Sequence, residues 1–513
     1  METPESTVLA AYDAEARGAA AYQSEAALER DFIRLLTEEG YEYAEIHDEA
    51  ELRANLRVQI GRLNGLHFSD GEWRRLCDEY LCPRTDGIAE KTEKFQRAPM
   101  HNLVLDNGDK RNIYLFDRRD VHRNFLQVIH QYGESGGNYA NRYDVTVLVN
   151  GLPIVQIELK RRGVSLEEAF RQIARYQRDS FWAGDGLYQY VQLFVISNGT
   201  ETKYYSNSTR EDAVRMESGK RTAQQTAPGF DFTSYWADAR NRRIADLMDF
   251  GKTFFARHTL LSILARYCVF TADRKLMVMR PYQIAAAERI LQRIVTATNY
   301  KKYGTIEGGG YIWHTTGSGK TLTSFKTAQL AAELPDVDKV IFVVDRKDLD
   351  YQTMKEYDSF EKGAANGSRN TAGLTRQLED RNERGVYQDY RILVTTIQKL
   401  DQFIKKHPKH PVYDRHVVLI FDECHRSQFG DMHQRITKHF RKYHIFGFTG
   451  TPIFAANAGH GNPKFRTTAQ AFGDQLHAYT IVDAIHDENV LPFHIDYVNT
   501  VRRKEGAPDA EVE

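Results

Sequence analysis

His314-Thr315-Thr316-Gly317-Ser318-Gly319-Lys320-Thr321 follows the apolar run Gly310-Tyr311-Ile312-Trp313 and precedes residues 322–334, whose apolar side chains recur at helical spacing. Strand, glycine loop and helix in that order make a phosphate cradle. Gly317 and Gly319 let backbone N–H groups turn toward phosphate oxygens, and the helix start adds its dipole. Lys320 supplies a point charge, and Thr321 offers a hydroxyl to Mg²⁺. His314 stands where G-x-x-x-x-G-K-[ST] has its first glycine.

Downstream, residues 339–344 (Lys-Val-Ile-Phe-Val-Val) and 417–421 (Val-Val-Leu-Ile-Phe) read as strands buried on both faces of a parallel sheet. The second ends in Asp422-Glu423-Cys424-His425. Asp422 can reach the Mg²⁺ held by Thr321 and a nucleotide, and Glu423 can orient or deprotonate the attacking water. His425 can couple nucleotide state to Thr449-Gly450-Thr451-Pro452, which follows a strand expected over residues 444–448. Asp345-Arg346-Lys347-Asp348, at the end of the first strand, carries basic residues able to hold a DNA phosphate. Upstream, Gln283 can offer its amide to a donor and an acceptor on adenine. Pro281 and Gln283 also suit an ordinary helix entry, though the fixed order of the motifs that follow favours the adenine role.

A chain of 513 residues exceeds one ordinary core and predicts about two to four domains. Lys+Arg (69) and Asp+Glu (70) nearly cancel, so any nucleic-acid binding must come from local patches. The four cysteines, Cys77, Cys82, Cys268 and Cys424, form no C-x-x-C pair, which speaks against a disulfide framework or a zinc knuckle and fits a reducing cytoplasm. No signal peptide is expected, and no run approaches the ~18 apolar residues of a membrane span.

In the first half, Leu28, Phe32, Leu35 and Leu36 mark one face of a helix, with Glu29 beside it, and residues 45–100 read as mostly helical. Asn150-Gly151 is a hairpin signal between the β-rich runs 142–149 and 152–159. That turn lets Asp144 and Glu158 approach, and period two puts Lys160 on the face of Glu158. Two carboxylates and an amine at one end of a hairpin suit Mg²⁺-dependent phosphodiester cleavage. An exposed hairpin with a surface ion pair would carry the same letters. The second strand, however, is apolar on both faces apart from Gln156 and Glu158, and a buried charge is costly without a purpose. Gln172 and Tyr176, four apart, project from one face of the next helix. Residues 247–270, with apolar residues at helical spacing, predict one or two connecting helices.

Asp144, Glu158-Leu159-Lys160 and Gln172-x-x-x-Tyr176 resemble the PD-(D/E)XK nuclease core, in the form with an added Q-x-x-x-Y element. Gln283, HTTGSGKT, DECH and TGTP in fixed order resemble the first RecA-like lobe of a superfamily-two translocase. Both sets in one chain resemble the restriction subunit of type I restriction–modification enzymes. The resemblance implies an α/β chain: a PD-(D/E)XK nuclease-like domain over 1–255, a helical joint over 256–275, a RecA-like lobe with a parallel sheet over 276–485, and the start of a link over 486–513. It implies catalytic roles for Asp144, Glu158, Lys160, Gln172, Tyr176 and Glu423. An acidic residue of the first helix joins them; Glu29 is the match, with Asp31 competing. ATP would meet Gln283, Thr316, Gly317, Ser318, Gly319, Lys320, Thr321, Asp422 and His425. Mg²⁺ would meet Asp144 and Glu158 at one site and Thr321 and Asp422 at the other. Thr449, Gly450, Thr451 and Pro452 would couple the motor. Double-stranded DNA and the modification (methyltransferase) and specificity subunits are the implied partners, with no membrane. The second lobe that supplies an arginine to the transferring phosphoryl group is not among these residues, so weak ATP binding and poor turnover are expected. A DNA-gripping adaptor, an inactive fragment and a standalone repair helicase–nuclease are the alternatives.

Overall fold

The computed structural model describes residues 6–13, 24–134, 141–176, 186–208, 230–344, 355–360, 366–367, 370–381, 387, 389–427, 431–457 and 467–490. Two sheets dominate them, one in each half, and the α/β class expected from the sequence is what the chain adopts.

The first sheet is mixed. Its eight strands run, edge to edge, Glu42–Tyr43, Leu126–Glu134, Asn141–Val149, Leu152–Leu159, Leu193–Ser197, Thr202–Ser206, Ser234–Ala237 and Arg243–Ile244. The central hairpin forms at the expected turn. Asn150 (φ 51°) and Gly151 (φ 84°) both adopt left-handed backbone, the geometry of a tight two-residue hairpin turn. The pairs Val145↔Ile157 and Thr146↔Gln156 set the register, which carried one residue further puts Asp144 across from Glu158. All eight residues of Leu152–Leu159 are buried. The helix Glu25–Glu38 starts where the Ser24 side chain accepts from the Ala27 N–H, and it buries Leu28, Glu29, Phe32, Leu35 and Leu36 together. It contacts the strands that carry Asp144 and Glu158.

Gly151 is tightly constrained. A Cβ there would lie 2.8 Å from the Leu56 backbone, at a φ that L residues rarely adopt. Gly151→Ala is therefore expected to lower unfolding free energy by about 2–4 kcal/mol, combining overpacking with left-handed strain. Urea denaturation of the variant checks this, and an unchanged midpoint would contradict it.

The second sheet is wholly parallel, in the order Asn366–Gly367, Ile392–Thr396, Lys339–Val344, His416–Phe421, Lys442–Thr449, Gly310–His314 and Gln475–Tyr479. Alternate residues of its central strands bury on opposite faces. Val340, Phe342, Val418 and Ile420 join a cluster with Leu322, Phe325 and Ala328, while Ile341, Val343, Leu419 and Phe421 join one with Leu374, Leu400 and Ile436. Helices therefore cover both faces, as a parallel sheet requires. The first of these clusters also contains Phe32, Val147 and Phe250, so apolar packing runs without a break between the two sheets.

Two features differ from the sequence reading. Cys268–Phe270 is not helical; it pairs with Leu276–Val278 as a hairpin whose turn is held by Thr271 and by Arg274 at φ 64°. Gln475–Tyr479 forms an unanticipated edge strand, because Gln-Leu-His-Ala-Tyr is too short and mixed to signal one. The run 345–348 and residues 491–513 of the expected link lie outside the described residues. No helix among the described residues is long and apolar enough to cross a membrane, and no disulfide joins the four cysteines.

Candidate functional site

At the open end of the central hairpin, Glu158 is fully buried and Lys160 Nζ lies 2.8 Å from its Oε1. The half-buried Asp144 accepts at Oδ2 from the Leu159 N–H, 2.9 Å away. Burial pushes the Asp144 carboxyl up to about 6, against the pull of the Leu159 N–H and Lys160. Burial and the neighbouring Asp144 charge push Glu158 up to about 8. One amine thus faces two carboxyls, and Glu158 Oε2 is buried without a hydrogen-bond partner. A buried acceptor left unpaired costs about 1–3 kcal/mol, and a cation at this point would relieve it. No group of three or more His, Cys, Asp or Glu residues among those described makes a metal cage. The donor set is two carboxylates with no Cys or His bonded to them among the described residues, oxygen ligands that suit Mg²⁺ rather than a structural zinc.

Glu29 reaches this region from the first helix. Its Oε1 lies 2.7 Å from His130 Nδ1 and its Oε2 accepts from Gln131 Nε2 at 2.6 Å. Its charge, with that of Glu25, is felt at Asp144. Asp31, the competing acid, instead pairs with Arg34 on the solvent side. His130 and Gln131 were not singled out in the sequence, since neither belongs to a motif. Gln172 lies half-buried on the helix Leu166–Tyr176, while the Tyr176 side chain falls outside the described residues.

The second cluster sits at the carboxyl ends of the parallel strands. Gly317 (φ 80°) and Gly319 (φ 74°) turn the loop, and no side chain caps the helix Lys320–Ala332. Its first N–H groups therefore point into the loop, as an anion requires. Lys320 Nζ lies 3.7 Å from Glu423 Oε1, and a Cβ on Gly450 would stand 3.6 Å from that Nζ and 3.4 Å from Thr316 Oγ1. Burial and the adjacent Glu423 charge push Asp422 up to about 6. Glu423 itself holds φ 43°, a left-handed strain of about 1–3 kcal/mol for a non-glycine residue. His425 Nδ1 lies 2.9 Å from Thr449 Oγ1, which also accepts from the Thr451 N–H. Pro452 is buried beside them and Thr321 is half-buried at the helix start.

Gln283 takes the helix-entry role the sequence allowed, closing a capping box behind Pro281, and adds a contact it did not suggest. Its Nε2 donates to the carbonyls of Ser318 (3.2 Å) and Gly319 (3.3 Å), and its Oε1 accepts from the Arg280 N–H. Tyr282 donates to the same Ser318 carbonyl, and its ring stacks on Tyr479 at 3.6 Å. The amide expected to face adenine is engaged with the phosphate loop. His314, in the missing glycine's place, is fully buried with its Nε2 3.1 Å from His477 Nδ1.

A parallel sheet with a glycine phosphate loop and Asp-Glu at a neighbouring strand end, preceded by a mixed sheet with a carboxylate–lysine hairpin, defines a RecA-like ATPase lobe joined to a PD-(D/E)XK nuclease-like fold. Residues 22–213 match the model of the type I restriction enzyme R protein N terminus, and residues 282–513 that of the SWI2/SNF2 ATPase. The chain is 41% identical over 496 residues to the type I restriction enzyme SauCOLORF180P endonuclease subunit of Staphylococcus aureus strain COL, covering 94% of this chain and 48% of that protein. It is 48% identical over 274 residues to the EcoprrI endonuclease subunit of Escherichia coli, covering 53% of this chain and 83% of that protein. The C-terminal part of a putative type I restriction enzyme, the MpnIIP endonuclease of Mycoplasma pneumoniae, is 47% identical over 209 residues, 40% of this chain and 99% of that one. The chain belongs to the family of type I restriction enzyme endonuclease subunits. It spans about half the length of the staphylococcal relative, 48%.

Proposed function

We propose that this chain carries the nuclease site and the first motor lobe of an ATP-dependent enzyme that cuts unmodified double-stranded DNA, working in a complex with modification and specificity subunits. The observation that carries the reading is the buried Asp144–Glu158–Lys160 cluster with its unpaired Glu158 oxygen. Asp144 and Glu158 would hold Mg²⁺, which polarises the scissile phosphate when bound. Lys160, kept in place by Glu158, would orient the attacking water and stabilise charge as it develops on the phosphate oxygens. Gln172 and Tyr176 would sit along the DNA strand beside that site.

In the motor lobe, the loop N–H groups of Thr316 to Gly319 and the Lys320 ammonium would receive the ATP phosphates. Thr321 and Asp422 would hold the accompanying Mg²⁺, and Glu423 would orient the attacking water. Gln283 braces the loop from behind. The His425–Thr449 bond would carry nucleotide state into the Thr449–Pro452 turn, where Gly450 already abuts Lys320.

The pH dependence of the nuclease cluster tests the metal assignment. Asp144 and Glu158 bind protons more tightly in the folded chain than in the unfolded one. Their stabilising contribution is therefore full below the ordinary carboxyl range and is lost as pH rises through about 6 and about 8. Mg²⁺ needs the ionised forms, so its affinity runs the opposite way, rising across that window with proton release. Titration calorimetry in buffers of differing ionisation enthalpy should show both effects, and both should vanish in the Asp144→Asn, Glu158→Gln double variant. Mg²⁺ binding of equal strength at pH 5.5 and pH 8.5, two settings chosen to bracket the window at about 6 to about 8, would contradict the assignment.

A further inference from the structure

In a regular strand, neighbouring side chains point to opposite faces. His130 and Gln131 are neighbours on Leu126–Glu134, yet both reach the same Glu29 carboxylate, one to each oxygen. The cause lies in the backbone. Gln131 has φ 52°, a left-handed conformation that a side chain such as glutamine rarely adopts. The ladder pairs His130↔Val145 and Tyr132↔Tyr143 in unbroken register but skips the step between them, where Gln131 faces Asp144. The local distortion thus falls directly across from one of the two carboxylates of the nuclease cluster. Strain of this kind persists only where surrounding structure imposes it, and it gathers at functional sites.

An ionised carboxylate only accepts, so Gln131 Nε2 and the His130 Nδ1–H donate. Glu29 has a side chain only 10% exposed and would otherwise be free to choose among rotamers. The two donors fix it within electrostatic reach of Asp144. We propose that His130 and Gln131 are positioning residues of the cleavage reaction, using the turned backbone at Gln131 to hold Glu29 aimed at the Asp144–Glu158 pair. The inference rests on the nuclease reading above and adds to it the strand residues that make Glu29 part of the site.

The test is the single-turnover rate of Mg²⁺-dependent cleavage of supercoiled duplex DNA by the assembled complex, for wild type, His130→Ala, His130→Asn, Gln131→Gly and Lys160→Ala. Losing one such supporting partner lowers activity by about 10–100-fold in comparable sites, and that loss is expected for His130→Ala and Gln131→Gly. His130→Asn keeps a donor near the Nδ1 position and should recover to within about threefold of wild type, since the missing imidazole contributes only its hydrogen bond. Gln131→Gly relieves the left-handed strain, so its melting temperature should not fall although its rate does. A merely structural role would lower the two together. Wild-type rates in both His130→Ala and Gln131→Gly would overturn the proposal, as would His130→Asn being as slow as His130→Ala. If His130→Ala unfolds, Gln131→Gly decides. Cleavage by Lys160→Ala at the wild-type rate would sink the nuclease reading itself rather than this addition.

Discussion

Lys160→Ala is expected to slow DNA cleavage by about 10³-fold while ATP hydrolysis continues at its wild-type rate. Lys160 is the one cation bonded to the buried Glu158, at 2.8 Å among the described residues, and it lies at the hairpin end that also holds Asp144. Removing it takes away a preorganised charge where negative charge develops, a loss of about 10²–10³-fold in comparable cases. It also leaves Glu158 buried without its ion-pair partner, which favours the neutral acid and weakens Mg²⁺ binding. The two effects act in the same direction, so the loss should reach the upper end of that range. The phosphate loop belongs to the other sheet, so ATP turnover should be unaffected. A Lys160→Ala complex that linearises plasmid at the wild-type rate would contradict the site.

Lys320→Ala carries the second large effect, in the other half of the chain. Its ammonium stands between Glu423 and the backbone of Gly450, where incoming phosphates would replace the Glu423 contact at 3.7 Å. Without it, Asp422 and Glu423 are left as two adjacent acids that have lost their lysine, and their repulsion opposes a triphosphate. ATP hydrolysis should fall by at least about 10²-fold. Cleavage that depends on translocation should fall with it, while Mg²⁺ binding at Asp144 and Glu158 stays as in wild type. ATPase assays and calorimetry on one preparation separate these outcomes. Hydrolysis at the wild-type rate would remove the motor assignment.

The sequence carried the regular parts of this architecture because local physics sets them. Asn150-Gly151 specifies its turn through two positive φ angles, but the turn alone would carry the register to Asp144 and Ile157; a bulge that skips Ile154, which the sequence did not announce, shifts it by one residue and places Asp144 across from Glu158. Runs such as Val417 to Phe421 can only be strands covered on both faces, and the parallel sheet follows from them. The choice of Glu29 over Asp31 was only partly legible, from its place beside the apolar face. Both lie on the first helix, and only its packing turns Glu29 inward and Asp31 toward Arg34. His130 and Gln131 left no trace in the sequence because their convergence depends on one backbone angle imposed by tertiary contacts. Gln283 gave the right neighbourhood, but whether its amide meets a base or the loop is set by the few ångströms separating it from Ser318 and Gly319. His314 read only as a missing glycine, whereas its burial against His477 ties the loop to an edge strand too short to announce itself.

The most direct measurement is an anomalous difference map from crystals of the protein soaked in Mn²⁺, a stand-in for Mg²⁺, near pH 8. A peak within about 2–2.5 Å of carboxylate oxygens from both Asp144 and Glu158 is the expected result. A fully loaded crystal with no peak there, or with Asp144 and Glu158 binding separate ions, would contradict it.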